Sequence, residues 1–120
     1  VNRIVRLNSD GTVDAAFAVG TAFNDIVFSI APAGDGTGDL YVGGDFTSYN
    51  GTGVNRIVRL NSDGTVDAAF AIGTGFNADV FFIAPAGDGT GNIYAGGDFI
   101  VYDGRMTERI IRLAPDGSVN

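Results

Sequence analysis

The chain has 120 residues, with seven arginines and no lysine against thirteen aspartates and one glutamate, a net charge of −7. That balance argues against nucleic acid and anionic lipid, which need basic surfaces. Cysteine and histidine are absent. Disulfides and thiol chemistry are therefore ruled out, and the commonest general base and transition-metal ligand are missing.

No 18-residue apolar run is present, so no helix is expected to cross a membrane. The hydrophobic share of 45% suffices for a core, which argues against wholesale disorder. The first residue is Val1, with no charged-then-apolar leader. The expectation is a removed signal or an excerpt of a longer protein.

In chain order, Asn2 to Leu7 reads as a first strand with both faces mixed, as in a sheet held between neighbouring layers. Asn8-Ser9-Asp10-Gly11 is a tight turn, because Asp-Gly suits positive φ. Val13 to Val19 reads as a second strand carrying Phe17. Gly20 to Asn24 connects to an apolar third strand, Ile26 to Pro32. A glycine-rich loop, Ala33 to Gly38, leads into a fourth strand, Asp39 to Phe46, whose Gly43-Gly44 pair admits close approach of a neighbour. Asn50-Gly51 signals another hairpin.

The pattern then starts again. Val1 to Phe17 recurs letter for letter as Val54 to Phe70, and a worn copy, Arg109 to Asn120, follows. Arg3, Arg56 and Arg109 are spaced by 53 residues. Segments 1–53 and 54–106 differ at 13 positions, nearly all beyond residue 20. The expected organisation is one segment, 1–120, built of repeat one (1–53), repeat two (54–106) and a partial repeat three (107–120). No segment has helical periodicity beyond one turn, so the expectation is all-β. Four short strands in a unit of roughly 40–50 residues fit the blade of a β-propeller. The fold class is therefore a propeller fragment of four-stranded antiparallel blades. A ring needs about 4–8 blades, so further copies are expected in the same chain or in a homo-oligomer. Near-identical repeats with exposed edges also invite strand exchange or a filament.

Several motifs have both a functional and a structural reading. Gly43-Gly44-Asp45-Phe46 and Gly96-Gly97-Asp98-Phe99 look like a diguanylate cyclase signature but lack its Glu. The structural reading pairs Asp45 with an arginine, Arg6 or Arg59, in the fork geometry that favours Arg over Lys. Asn8-x-Asp10-Gly11-x-x-Asp14 resembles part of a calcium loop, with Asp63 and Asp67 as its copy. Asp35 and Asp39, with Asp88, resemble the end of another. These seven aspartates are the calcium candidates, although three ligands per loop fall short of the ~6–8 oxygens calcium takes. The competing reading is that they cap turns.

The hydroxyls have no His or Lys to activate them. Paired carboxylates for glycoside hydrolysis need a raised pKa in an apolar pocket, yet almost every polar residue here has a twin. The chain reads as non-enzymatic, with no cofactor unless calcium. The aromatics recur in phase, as inter-blade core residues should. Tyr49 and Tyr102, beside the hairpin tips, are the pair expected to be exposed and able to stack on a sugar. Asn50-Gly51-Thr52 is a glycosylation sequon that its copy, Asp103-Gly104-Arg105, lacks.

Val42-Gly43-Gly44-Asp45-Phe46, then Tyr49-Asn50-Gly51, then Asn55-Arg56-Ile57-Val58-Arg59-Leu60-Asn61-Ser62-Asp63-Gly64-Thr65-Val66-Asp67-x-x-Phe70, together resemble the delta-60 repeat family of bacterial surface β-propellers. The resemblance covers the whole chain. One departure is the longer acidic loop Gly34 to Gly38 and its copy Gly87 to Gly91. The resemblance implies that Asn2–Leu7 and Val13–Val19 are outer strands, and that Ile26–Pro32 and Asp39–Phe46 are inner ones. It implies a non-catalytic structural or interaction module that is extracellular or on the cell surface. A self-assembling filament or ring subunit and a calcium- or glycan-binding module are the alternatives, with a surface glycan or protein as partner.

Overall fold

A computed structural model of the chain describes residues 3–120. Ten strands form: β1 Val27–Pro32, β2 Leu40–Gly44, β3 Ser48–Tyr49, β4 Thr52–Gly53, β5 Ile57–Leu60, β6 Val80–Pro85, β7 Ile93–Gly97, β8 Val101–Tyr102, β9 Arg105–Met106 and β10 Ile110–Leu113. There is no helix among the described residues. The chain is all-β, as its patterning required.

The strands sort into two equivalent antiparallel sheets, β1-β2-β5 and β6-β7-β10, and in each a small hairpin, β3-β4 or β8-β9, is inserted in the chain between the second and third strands. We call the sheets blade one and blade two. In blade one Leu40 pairs with Leu60 and Val42 with Val58; in blade two Ile93 pairs with Leu113 and Ala95 with Ile111. The first strand of each blade, β1 or β6, carries a register shift in the same place, between Val27 and Ser29 and between Val80 and Phe82.

The fourth strand of each blade is shorter than expected. Val13–Val19 and its copies shrink to single bridges, Leu7 with Val13, Leu60 with Val66 and Leu113 with Val119. The reason is local. Asp14 accepts a hydrogen bond from the Ala16 amide (2.9 Å) on its side chain and from the Phe17 amide (3.2 Å) on its carbonyl. An aspartate that bonds its own backbone two residues on makes a turn, so the segment curls and Phe17 leaves the blade edge for the core.

The blades stack face to face, and glycine makes the seam. A Cβ on Gly43 would come within 2.7 Å of Val80 Cγ1 and 3.0 Å of Ile83 Cδ1. Only a residue without a side chain lets β6 settle against β2. The shared core runs across the seam, from Ala31, Tyr41 and Ile57 of blade one to Val80, Ile83 and Ile93 of blade two. The Ile83 amide crosses it as well, donating to Ser29 Oγ at 3.1 Å. A second core joins blade one to the N-terminal arm through Ile4, Phe17, Phe23, Val58 and Leu60.

Each core also carries an aromatic triplet. Phe23 lies 4.3 Å from Phe46 and 4.7 Å from Tyr49; Phe76 lies 4.2 Å from Phe99 and 4.7 Å from Tyr102. Tyr49 and Tyr102 are therefore buried. This corrects the expectation that they are exposed. Their hydroxyls donate to the carbonyls of Gly64 and Gly117, each at 2.5 Å. Neither ring can reach a sugar.

Candidate functional site

The most developed polar cluster is centred on Arg59, which β5 places on the buried face toward blade two. Its side chain is 7% exposed. Nη2 donates to Asp35 Oδ2 at 2.7 Å and to Asp39 Oδ2 at 2.9 Å. Nε donates to the same Asp39 oxygen at 3.1 Å and lies 3.2 Å from Asp67 Oδ2. Nη1 donates to the Tyr41 hydroxyl at 2.9 Å. Three carboxylates thus converge on one guanidinium.

The glycine-rich loop supplies two of the three. Asp35 Oδ1 accepts from the Thr37 hydroxyl and amide, while the Thr37 hydroxyl accepts from the Asp39 amide. This curl folds the loop back over Arg59. The Thr37 hydroxyl, then Arg59, then the Thr37 amide hold the Asp35 carboxyl well below the usual carboxylate range. Burial opposes the Arg59 charge, but bonds to Asp35 and Asp39 outweigh it and raise the pKa further. Burial pushes the Tyr41 hydroxyl up.

The cluster recurs in weaker forms. At Arg112, Nη2 donates to Asp88 at 2.7 Å. The other acidic positions have become Asn92 and Asn120. With its amide turned to satisfy the network, Asn92 accepts from Arg112 Nε at 3.2 Å and Nη2 at 3.0 Å. At Arg6 the loop contribution is missing: Asp14 lies 3.3 Å from Nε and the Ser62 carbonyl accepts from Nη1 at 3.3 Å. Arg6 lines an open groove of about 410 Å³ with Ile30, Pro32, Gly38, Asp39 and Leu40.

All seven calcium candidates are engaged. Asp35, Asp39 and Asp67 hold Arg59, Asp14 faces Arg6, and Asp88 holds Arg112. Asp10 and Asp63 each accept from the hydroxyl and amide two residues on, at Thr12 and Thr65. Those hydrogen bonds keep both carboxyls below their usual range. No group of three acidic side chains able to hold a metal ion occurs among the described residues. The grouping of Asp35 with Asp39 was legible as a cation site. The cation the fold supplies is an arginine.

Asp45 pairs with neither Arg6 nor Arg59. Its partner is Arg56, with Nε 3.6 Å from Oδ1. The reason is register: Gly43 pairs with Ile57, so Asp45 lies beyond the strand end beside Arg56. Arg56 takes positive φ (71°), as Arg3 does, and its Nη1 reaches over the seam to the Phe76 carbonyl at 2.9 Å. Arg3 makes the same bond to Phe23 at 3.0 Å.

Sequence reasoning missed Asp79, which stands where the first repeat has Ile26. Its carboxyl is raised to about 6 by a hydrogen bond with Asp45, by burial and by the charge of Asp45, against the pull of Arg56. The signal was the Ile26-to-Asp79 change at the base of an otherwise apolar strand.

A family described as a domain of unknown function (DUF5122) beta-propeller matches residues 1–17, 36–70 and 89–120. The chain belongs to that family. The gaps between the matched segments fall on β1 and β6 and on the segments leading into them. No curated protein and no solved structure matched the chain. The assigned family is a β-propeller family, and the stacked blades are the propeller unit.

Proposed function

We propose that this propeller segment is a non-catalytic structural and interaction module, of the delta-60 repeat type, in a secreted or cell-surface bacterial protein. One observation carries the reading. Ile30 and Ile83 occupy the same position of consecutive blades, yet Ile30 is 50% exposed and Ile83 6%. The difference is the neighbour: blade one covers Ile83, and nothing among the described residues covers Ile30. The opposite face repeats the pattern, with Tyr41 fully buried and Tyr94 37% exposed. Large apolar residues left open on a sheet face mark interaction surfaces. Here the buried copy of each, covered by a unit of the same repeat, supports another such unit as the partner.

The aspartates and arginines support a scaffold. Those at Arg59, Arg112 and Arg6 and in the Asp-Gly turns recur from unit to unit, with Asp79 the exception, whereas catalysis calls for a singular site of several perturbed groups. A second reading, a self-assembling filament or ring subunit, is favoured by the two open faces being different from one another. Contacts of that heterologous kind propagate into rings or fibres.

The test is particle mass against concentration, by light scattering, with electron microscopy of the particle. The expected result is a mass that rises with concentration for the native chain and stays at one chain for Ile30→Glu. A native mass fixed at one chain up to millimolar concentration would overturn the reading.

A further inference from the structure

The repeat gives a template for how a second copy is received. In blade one the outer strand β5 lies on β2 with Leu60 opposite Leu40, Arg59 opposite Tyr41 and Val58 opposite Val42. Residues 4–7 are the same sequence as β5. They have no inner strand beside them among the described residues, and Leu7 is 55% exposed where Leu60 is fully buried. Meanwhile β7 carries the worn copy β10 in that place.

Resting on the repeat-scaffold reading, we propose that a second copy of this chain docks by strand exchange. The arm of residues 3–19 of one copy replaces residues 110–120 on β7 of the other, seating that blade in the groove at Arg6 and Ile30. The register follows from the template: Leu7 opposite Ile93, Arg6 opposite Tyr94, Val5 opposite Ala95.

The polar contacts that residues 110–120 make with the rest of the chain have counterparts in the arm, while Val5 and Ser9 stand in for the larger Ile111 and Pro115. Arg112 holds one carboxylate, Asp88. Arg6 in its place takes Asp88 and keeps Asp14, moving toward the arrangement that surrounds Arg59. Tyr102 donates to the Gly117 carbonyl, and the Ala71 amide donates to that of Asp116 (2.9 Å). The arm offers Gly11 and Asp10 in an identical turn, Asn8 to Thr12. Phe17 brings to Tyr94 the edge contact that Phe70 makes with Tyr41 at 5.1 Å.

One residue opposes the exchange. Gly43 receives Val80 and Ile83 of the next blade, whereas the matching slot at Gly96 is filled by the chain's own Phe82, whose Cζ would lie 2.2 Å from an added Cβ. The first repeat has Ser29 at this position. Phe82 has to swing off Gly96 before the Val27 and Ile30 side chains of another copy can enter, so it gates docking.

The chain has no cysteine, so single-cysteine variants of the 120-residue chain report the contact directly. Val5→Cys and Ala95→Cys are mixed, oxidised and weighed by mass spectrometry, beside a control mixture of Val5→Cys with Thr52→Cys. Cross-strand partners lie within disulfide reach. The mixed dimer is expected at tenfold or more over the control. Equal yields overturn the exchange, and if the unmodified chain still associates, the scaffold reading stands without it. In a background with no introduced cysteine, Arg6→Glu should weaken self-association at least tenfold while Arg105→Glu, an exposed arginine on β9, leaves it unchanged. Equal losses from the two would equally overturn the proposal. Phe82→Ser should tighten self-association, and weaker association would count against the gate.

Discussion

Replacing Arg59 by methionine tests whether the three-carboxylate cluster holds the blade together. The stem and its packing survive; the charge does not. Asp35, Asp39 and Asp67 then face one another without a counter-ion, with Asp39 the most buried of them. Removing one partner of a buried ion pair costs about 3–5 kcal/mol. Because water reaches Asp35 and Asp67, the lower end applies, ~3 kcal/mol. For a domain of this size that amounts to a fall in Tm of about 10 °C.

The repeat supplies its own controls. Arg112→Met removes a half-exposed arginine from one carboxylate, and Arg6→Met removes an exposed one. Surface pairs of this kind contribute about 0–1 kcal/mol. Urea unfolding at pH 7, followed by circular dichroism, should therefore rank the losses as Arg59 well above Arg112 and Arg112 at or above Arg6. The pH dependence has a fixed sign. The Asp35 pKa is depressed in the folded state, so its contribution is present above the ordinary value of 3.8 and is lost as pH falls below it. The penalty of Arg59→Met should accordingly shrink below about pH 4, where the stranded carboxylates protonate. Equal losses at the three arginines, or a penalty that grows in acid, would refute the reasoning.

Asp79 titrates the other way. A carboxyl raised to about 6 in the fold binds its proton more tightly there than when unfolded. Stability should fall as pH rises from 4 to 6, and Asp79→Asn should flatten that slope and gain up to about 1 kcal/mol at pH 7.5, measured by thermal melts across the range. Tyr49→Phe leaves the Gly64 carbonyl without its buried donor and should cost about 1–2 kcal/mol, with Tyr102→Phe matching it at Gly117. Gly43→Val drives side-chain atoms into Val80 and Ile83 and should cost about 1–3 kcal/mol, whereas Gly53→Ala, in open space, should move the urea midpoint little. Calcium should leave the melting temperature of the native chain unchanged and raise that of Arg59→Met, where the carboxylates lack their cation.

The repeat and its turns were legible because both are local. Asp10-Gly11, Asn50-Gly51 and their copies dictate turns by backbone conformation alone, with Gly11 at φ 88° and Gly51 at φ 81°. The inner strands were legible from their apolar runs. What the sequence hid depends on partners far along the chain. Tyr49 sits beside a hairpin tip, a position that reads as exposed, but Phe23 comes from 26 residues earlier to cover it. The Asp45 partner turned on strand register, which no pattern of Asp and Arg specifies. Val13–Val19 has the composition of a strand, yet Asp14 bends it.

Near-identity between repeats turns this chain into a set of paired measurements. The same residue appears once with a neighbouring blade and once without, as Ile83 and Ile30 do, so its surroundings rather than its chemistry decide its burial. The same logic separates structure from function among the charged groups. Arg59 receives three carboxylates where Arg112 and Arg6 receive one each, and Arg59 is the most buried of the three. The connection between β1 and β2, residues 33–39, therefore acts as a latch: it places Asp35 and Asp39 on the arginine of its own blade, and the buried arginine then completes the face against which the next blade packs. A sequence rich in aspartate and devoid of lysine is what such a latch requires, since the guanidinium fork can accept several carboxylates at once and a lysine ammonium could not span Asp35, Asp39 and Asp67 in this planar way.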